Sequence, residues 1–181
     1  MDLITPRLFL RDLLETDCAA LFELESDVQT WRYEHPPLTE SESRGRLERA
    51  LAWQAETPRT RYTWALTIPP DGSLRGVLKL TLTFPSIREY EIGWAVRREE
   101  WGKGYASEAA RAVLGFGFEQ LLAHRVVAFC HAENGASERV MQKLGMQREG
   151  RTRETHCMEG TWSDELLYAI LEREFRAPGM A

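Results

Sequence analysis

Two glycines flank a lysine at Gly102-Lys103-Gly104, within the segment Arg97-Arg98-Glu99-Glu100-Trp101-Gly102-Lys103-Gly104-Tyr105-Ala106-Ser107-Glu108-Ala109. Glycine lets a backbone turn tightly and approach a ligand closely, and the first amides of a following helix have no internal partner. This spacing therefore suits an anion such as a phosphate. Lys103, Arg97 and Arg98 add positive charge locally on an otherwise acidic chain. A P-loop would need GxxxxGK[ST], whereas the lysine here lies between the glycines. A dinucleotide fingerprint would need a third glycine or alanine where Ser107 stands. On these residues alone, a turn leading into a helix with no ligand remains open.

The rest of the chain narrows the choice. Thr5-Pro6-Arg7-Leu8, Glu91-Ile92-Gly93-Trp94, Trp101 through Ala109, Asn134-Gly135-Ala136-Ser137, Lys143-Leu144-Gly145-Met146, Glu149-Gly150 and Gly160 through Asp164 to Tyr168 follow one another along the sequence. In order and spacing this set resembles the GNAT superfamily of N-acetyltransferases, and most of all its Rim-type branch, the ribosomal-protein N-terminal acetyltransferases and relatives. The resemblance covers nearly the whole chain. It implies acetyl-CoA as cosubstrate, no metal, and transfer of an acetyl group to a primary amine by direct attack in a ternary complex. The implied acceptor is a protein N-terminal α-amine. The alternatives are a small amine (a polyamine, an aminoglycoside-like or other amino compound) or a CoA-binding regulatory module without turnover. A homodimer is compatible with it.

The same resemblance gives the matching residues their expected roles. The cofactor's pyrophosphate meets the loop formed by Trp101, Gly102, Lys103, Gly104, Tyr105 and Ala106. Glu99 stands where many members have Gln or Arg, so the amides of Gly102 to Ala106 are expected to carry most of the binding. On the strand from Glu91, Gly93 and Ala95 leave room for the pantetheine arm, and an amide near Ala95 and Val96 polarises the thioester carbonyl. Asn134 contacts the arm and Ser137 hydrogen-bonds the departing thiolate. Arg139 and Lys143, four apart on one helix, meet the nucleotide phosphate. The amine must lose a proton before it attacks, which is easier for an α-amino group (about 8) than for a lysine (about 10.4). Glu91 acting through water, His156 and solvent are the candidate bases. Trp31, Tyr33 and His35 wall the acceptor slot.

These residues need a frame. Leu3, Leu8 and Leu10 predict a first strand with Pro6 near its edge. Ala19, Ala20, Leu21, Phe22 and Leu24 predict a helix from Thr16 to about Asp27, capped by Thr16 or Asp17. A second helix is capped by Thr39 and stopped by Pro58. Residues 62–68 and 74–84 read as strands joined at Asp71-Gly72. In 89–96 the bulky Tyr90, Ile92, Trp94 and Val96 alternate with Glu91, Gly93 and Ala95, again a strand. A helix runs from Gly104 to about Leu122, followed by strand 126–130, helix 134–144 and two strands meeting at Gly160-Thr161. The order β-α-α-β-β-β-α-β-α-β-β predicts an α/β (α+β) fold: one domain over 1–181 with a mixed, mostly antiparallel twisted sheet between helices. Acceptor-side elements are expected mainly in 15–57 and 150–175, and the acetyl-CoA-binding core in 88–146.

Composition excludes other classes. The 181 residues, 43% of them hydrophobic, suffice for one substantial core, and a formal net charge of −5 argues against a nucleic-acid binder. No leader segment or apolar run of the roughly 18–20 residues of a membrane span is expected. Cys18, Cys130 and Cys157 are odd in number and far apart, which predicts reduced thiols and a cytoplasmic protein. Histidines 35, 124, 131 and 156 lack metal-ligand spacing.

Overall fold

The computed structural model describes residues 1–176. Its eight strands are β1 (Leu3–Ile4), β2 (Phe9–Asp12), β3 (Arg61–Thr67), β4 (Leu74–Phe84), β5 (Glu89–Val96), β6 (Arg125–His131), β7 (Gln147–Met158) and β8 (Thr161–Leu171). They form one sheet in the order β1-β2-β3-β4-β5-β6-β8-β7. Among the described residues only β5 and β6 pair in parallel, so the sheet is mixed and mostly antiparallel, as expected.

Period-two alternation decides which face each side chain takes. Tyr62 and Trp64 of β3, Leu78 and Leu80 of β4, and Tyr90 and Ile92 of β5 are buried in one cluster with Ala109, Val113, Leu114, Phe116 and Phe118. Those last five belong to α4 (Tyr105–Glu119). α4 packs directly on the sheet at Gly117, where a Cβ would stand 3.4 Å from the Leu80 side chain, about van der Waals contact. The opposite face carries Ala65, Val77 and Ala95, covered by Leu21 and Leu24 of α1 (Cys18–Glu25) and by Leu47 and Ala50 of α3 (Glu40–Gln54). Truncating a core side chain such as Leu114 to alanine would cost about 2–5 kcal/mol.

The feature that positions the site is a split in the middle of the sheet. β5 pairs with β4 over nearly its whole length, but with β6 only at Glu89↔Arg125, Tyr90↔Val126 and Glu91↔Val127. Beyond Glu91 the two strands diverge. β6 instead continues its pairing with β8, from Arg125↔Leu171 to His131↔Glu165. The apex is fixed by Arg125, which bonds Glu89 at 2.6 Å and Glu149 at 2.7 Å.

Several local expectations need correction. The first strand is two, β1 and β2, folded back on each other around Pro6. Asp17 does not cap α1, because its carboxylate turns back to Arg11 and to the Leu14 amide. Residues Val28–Trp31 form a further short helix, α2, capped by Asp27, between the two expected ones. The expected cap at Thr39 is present, and the structure completes it as a box in which the Thr39 amide donates to Glu42. After α5 (Gly135–Lys143) and the β7–β8 hairpin, a final turn of helix, α6 (Glu172–Phe175), was not anticipated.

Candidate active site

The glycine loop is built for close approach. Gly102 and Gly104 have φ of 78° and 82°, conformations that side chains of L-residues rarely adopt, and a Cβ at Gly102 would meet nothing within 4 Å. Gly104 ends the loop as N-cap of α4, leaving the first amides of that helix without helical partners. The loop is anchored from outside. Arg7 bonds the Lys103 carbonyl at 2.9 Å and holds Glu108 of the first turn of α4 through Nε at 2.6 Å. Thr5 adds a hydroxyl to Glu108 at 2.6 Å.

The local cations behave differently from the expectation. Lys103 Nζ is paired with buried Glu100 at 2.7 Å, and Arg97 is turned to Glu23 and the Ala20 carbonyl. Their charge is largely neutralised before any ligand arrives, which leaves Arg98 as the cation of this segment without a hydrogen bond or ion pair among the described residues. Glu99 points to solvent and meets Arg97 only at 3.7 Å. The anion-binding capacity of the loop is thus chiefly that of its backbone.

The divergence beyond Glu91 exposes one edge of β5. Arg97 donates its amide to Arg75 of the neighbouring chain segment, at 2.8 Å. By strand alternation, Ala95 faces β4 in the same way, and the N–H and C=O of Val96 point into the gap. Trp101 Nε1 confirms the direction by bonding the Val96 carbonyl at 2.7 Å. Ala95 therefore offers only its small side chain, and Val96 supplies the backbone group. Gly93 leaves open space where a Cβ would stand. Across the gap, Asn134 caps α5 by accepting from the Ser137 amide at 3.1 Å, and both residues line the cleft.

The cleft has a volume of about 370 Å³ and brings together Glu91, Ala95, Val96, Trp101, Ala106, Asn134 and Ser137 with Trp31 and Tyr33. Trp31 is held by its indole N–H to the Leu24 carbonyl and by stacking on His35, while Tyr33 stacks on His131. His35 stands behind Trp31 rather than on the cleft wall, bonded to Arg46 and the Pro36 carbonyl. His156 also lies off the wall. It sits on β7 opposite Ser163, with a buried Nε2 that has no partner. Arg139 and Lys143 are exposed on α5, outside the cleft, and the Arg139 guanidinium folds over Gly135. Tyr105 is half-buried beneath the Arg7 guanidinium, 4.8 Å from its ring.

Three carboxylates converge on this space. Glu91 opens to the cleft yet is surrounded by enough protein that burial raises its pKa above the usual carboxylate value, and Glu165, Glu89 and Glu34 push in the same direction. Glu34 is raised likewise, by burial and then by Glu165. Glu34, Glu165 and Lys79 were not expected in the site. Glu34 follows α2, Lys79 belongs to β4 and Glu165 to β8, and only the tertiary fold puts them together. The mid-strand position of Lys79 in the apolar run Val77-Leu78-Lys79-Leu80 was the one available signal.

A split sheet, a loop at a helix N-terminus and a free strand edge lie together here, an arrangement suited to a pyrophosphate-bearing, amide-containing ligand. The residues present fit coenzyme A. A family model described as an acetyltransferase (GNAT) domain matches residues 7–147. The chain is 34% identical over 176 residues to the uncharacterized N-acetyltransferase YnaD of Bacillus subtilis (strain 168), covering 97% of this chain and 99% of YnaD. A crystal structure of a GNAT-family acetyltransferase from Bacillus anthracis matches with a TM-score of 0.85 at 33% identity, over 96% of this chain and all of that one (100%). Mycobacterium smegmatis RimJ, in complex with CoA-disulfide, matches with a TM-score of 0.79 at 25% identity, over 94% of this chain and 84% of that one. The chain belongs to the GNAT family and is an acetyl-CoA-dependent N-acetyltransferase.

Proposed function

We propose that this enzyme acetylates a primary amine of the protein N-terminal type, as the Rim-type branch does, and that it works in the cytoplasm. The observation that supports this most is the opening of the sheet immediately after Glu91, which sets a carboxylate of raised pKa beside an unpaired strand edge. Acetyl-CoA supplies a thioester whose carbonyl carbon accepts the amine. The amides of Gly102 to Ala106 hold the pyrophosphate and would be joined by Arg139 and Lys143, exposed on α5 outside the cleft, which would meet the nucleotide phosphate. The Val96 N–H, which points into the gap, would donate to the thioester oxygen, where a preorganised donor is worth most.

Glu91 takes the proton of the amine through water. Its raised pKa moves it toward that of the α-amine it must deprotonate, which improves the match between base and acid. Ser137 steadies the departing thiolate by hydrogen bonding, with solvent completing the proton transfer. His156, off the cleft wall, is the weaker candidate for base. Direct attack needs no cysteine: burial pushes the Cys130 thiol up to about 12, which keeps it protonated at neutral pH. Trp31 and Tyr33 wall the acceptor end.

The cluster of Glu34, Glu91 and Glu165 also favours a second reading, in which the acceptor is a small cationic amine. Acceptor-dependent thiol release from acetyl-CoA, measured over short peptides with free N-termini and over polyamines, separates the two. Turnover confined to peptides is expected; turnover confined to polyamines would replace the first reading by the second. Acetyl-CoA binding without turnover of any amine would leave a binding module.

A further inference from the structure

Lys79 of β4 lies between Thr63 of β3 and Gly93 of β5, on the face of the sheet that bears the cleft. Its side chain lines both the cleft and a smaller side pocket of about 160 Å³ beneath α1 and α3. The side pocket has apolar walls from Leu13, Leu21 and Trp53, and its charged groups are Glu25, Arg46, Arg49 and Lys79. Three cations therefore face one carboxylate, on a chain whose net charge is −5.

That carboxylate does not neutralise them. Glu25 meets Arg46 only at 3.5 Å, and its other oxygen is buried without a partner. Arg46 is shared with His35 Nε2 at 3.1 Å. Lys79 and Arg49 have no hydrogen bond or salt bridge among the described residues. Lys79 is reached by solvent through the cleft but is ringed by protein, and its pKa is lowered by burial and then by Arg46. Glu25 and Glu34 act on it in the opposite direction without offsetting those two, although the side chain itself is exposed in the cleft. Glu34, Glu91 and Glu165 also line the cleft that Lys79 enters, with Arg32 as a second cation of its lining, while Arg46 and Arg49 line the side pocket that Lys79 shares.

We infer that the acceptor carries a carboxylate a few bonds from its amine, received by Lys79 with Arg46 and Arg49 while the amine faces Glu91. The inference rests on the amine-acetylation reading above and narrows its substrate class. Lys79 pairs with Gly93, two residues from Glu91, so the two side chains are diagonal neighbours on adjacent strands, with Cβ atoms roughly 7–8 Å apart. An amine and a carboxylate on one small framework span that separation. Two sources share this chemistry: an acidic first residue of a peptide, and a free amino acid.

The test compares four acceptors by thiol release from acetyl-CoA: peptides that differ only in beginning with Asp or Asn, and free alanine against alaninamide. In the arm that contains the true source, the carboxylate form should exceed its amide in kcat/KM by about tenfold or more, and in K79Q that ratio should collapse toward one. Equal rates for carboxylate and amide in both arms, or a ratio that survives K79Q, would overturn the inference. Calorimetric titration of the same acceptors in the presence of CoA separates the two kinds of failure. Carboxylate-dependent binding that is lost in K79Q, without turnover, would keep the inference and sink the enzymatic reading. Equal binding of carboxylate and amide forms would sink the inference whatever the turnover.

Discussion

The two ends of the cleft are made of different materials. At the proposed cofactor end, between β5 and the start of α4, the groups available to a ligand are chiefly backbone amides, because Lys103 is engaged with Glu100 and Arg97 with Glu23, and Arg98 alone of the three cations has no such partner among the described residues. At the acceptor end the groups offered are side chains: Glu34 after α2, Lys79 on β4, Glu91 on β5 and Glu165 on β8. Backbone recognition depends on conformation, which a few glycines fix locally. Side-chain recognition depends on which distant residues the fold brings together. One end can thus stay constant while the other varies by single substitutions, as expected of a site with a common cosubstrate and a particular acceptor.

If that contrast holds, the largest effect should come from altering backbone conformation at the cofactor end. Gly104→Glu forces a side chain into a left-handed conformation costing about 1–2 kcal/mol and adds a charge that repels phosphate. Acetyl-CoA affinity should fall by at least about a hundredfold in calorimetric titration, with circular dichroism unchanged. Retained affinity would mean that the amides are not the ligand's main partners.

A smaller but more specific effect is expected at the junction of the two ends. Glu91→Gln should lower kcat by about a hundredfold and abolish the acid limb of the pH–rate profile while leaving acetyl-CoA binding near its original strength. The same substitution has a stability signature. The pKa of Glu91 is raised in the folded state relative to the unfolded chain, so its ionised form opposes folding above that raised value. The penalty fades as pH falls through the ordinary carboxylate range. Glu91→Gln should therefore melt higher than the wild type at neutral pH, and the gap should close in acid. A variant that is slow but not stabilised would argue that Glu91 is less crowded by carboxylates than the geometry indicates.

The smallest effect should come from the outer brace. Arg7→Gln removes the contacts to the Lys103 carbonyl and Glu108, but Arg7 is half-exposed. Thermal unfolding should register under about 1 kcal/mol, and acetyl-CoA affinity should drop only a few fold through a loosened loop. A loss as large as that of Gly104→Glu would show that the amides depend on this brace and not on the glycines alone.

The same contrast explains what could be read from the chain before its fold. Gly102, Gly104, Asn134 and the alternation from Glu91 to Val96 are contiguous signals, because the conformations they dictate are local, and the structure has the corresponding turn, cap and strand in those places. The split between β5 and β6 was not legible, since it depends on β6 turning to β8, more than thirty residues later in the chain. Nor were Glu34, Lys79 and Glu165, each ordinary within its own element. His35 was misplaced for a related reason: its neighbours Trp31 and Tyr33 reach the cleft, but the short helix α2 turns His35 back toward Arg46. The neutralised Lys103 shows the limit of counting charges along a segment, because its partner Glu100 lies only three residues away and is buried.

The unpaired edge of β5 has one more consequence. A strand edge at the rim of a sheet invites other chains to add to it and is a route to aggregation. Here the open edge lies in the interior of the sheet, with β6 on the far side of the gap and Trp101, Asn134 and Ser137 around it. An intruding polypeptide strand would need a slot about 4.7–4.9 Å wide on each side along its whole length, which a wedge closing at Glu91 does not provide. A single slender chain of amides, as proposed for the cosubstrate, can enter, and the same edge stays closed to a strand of another copy.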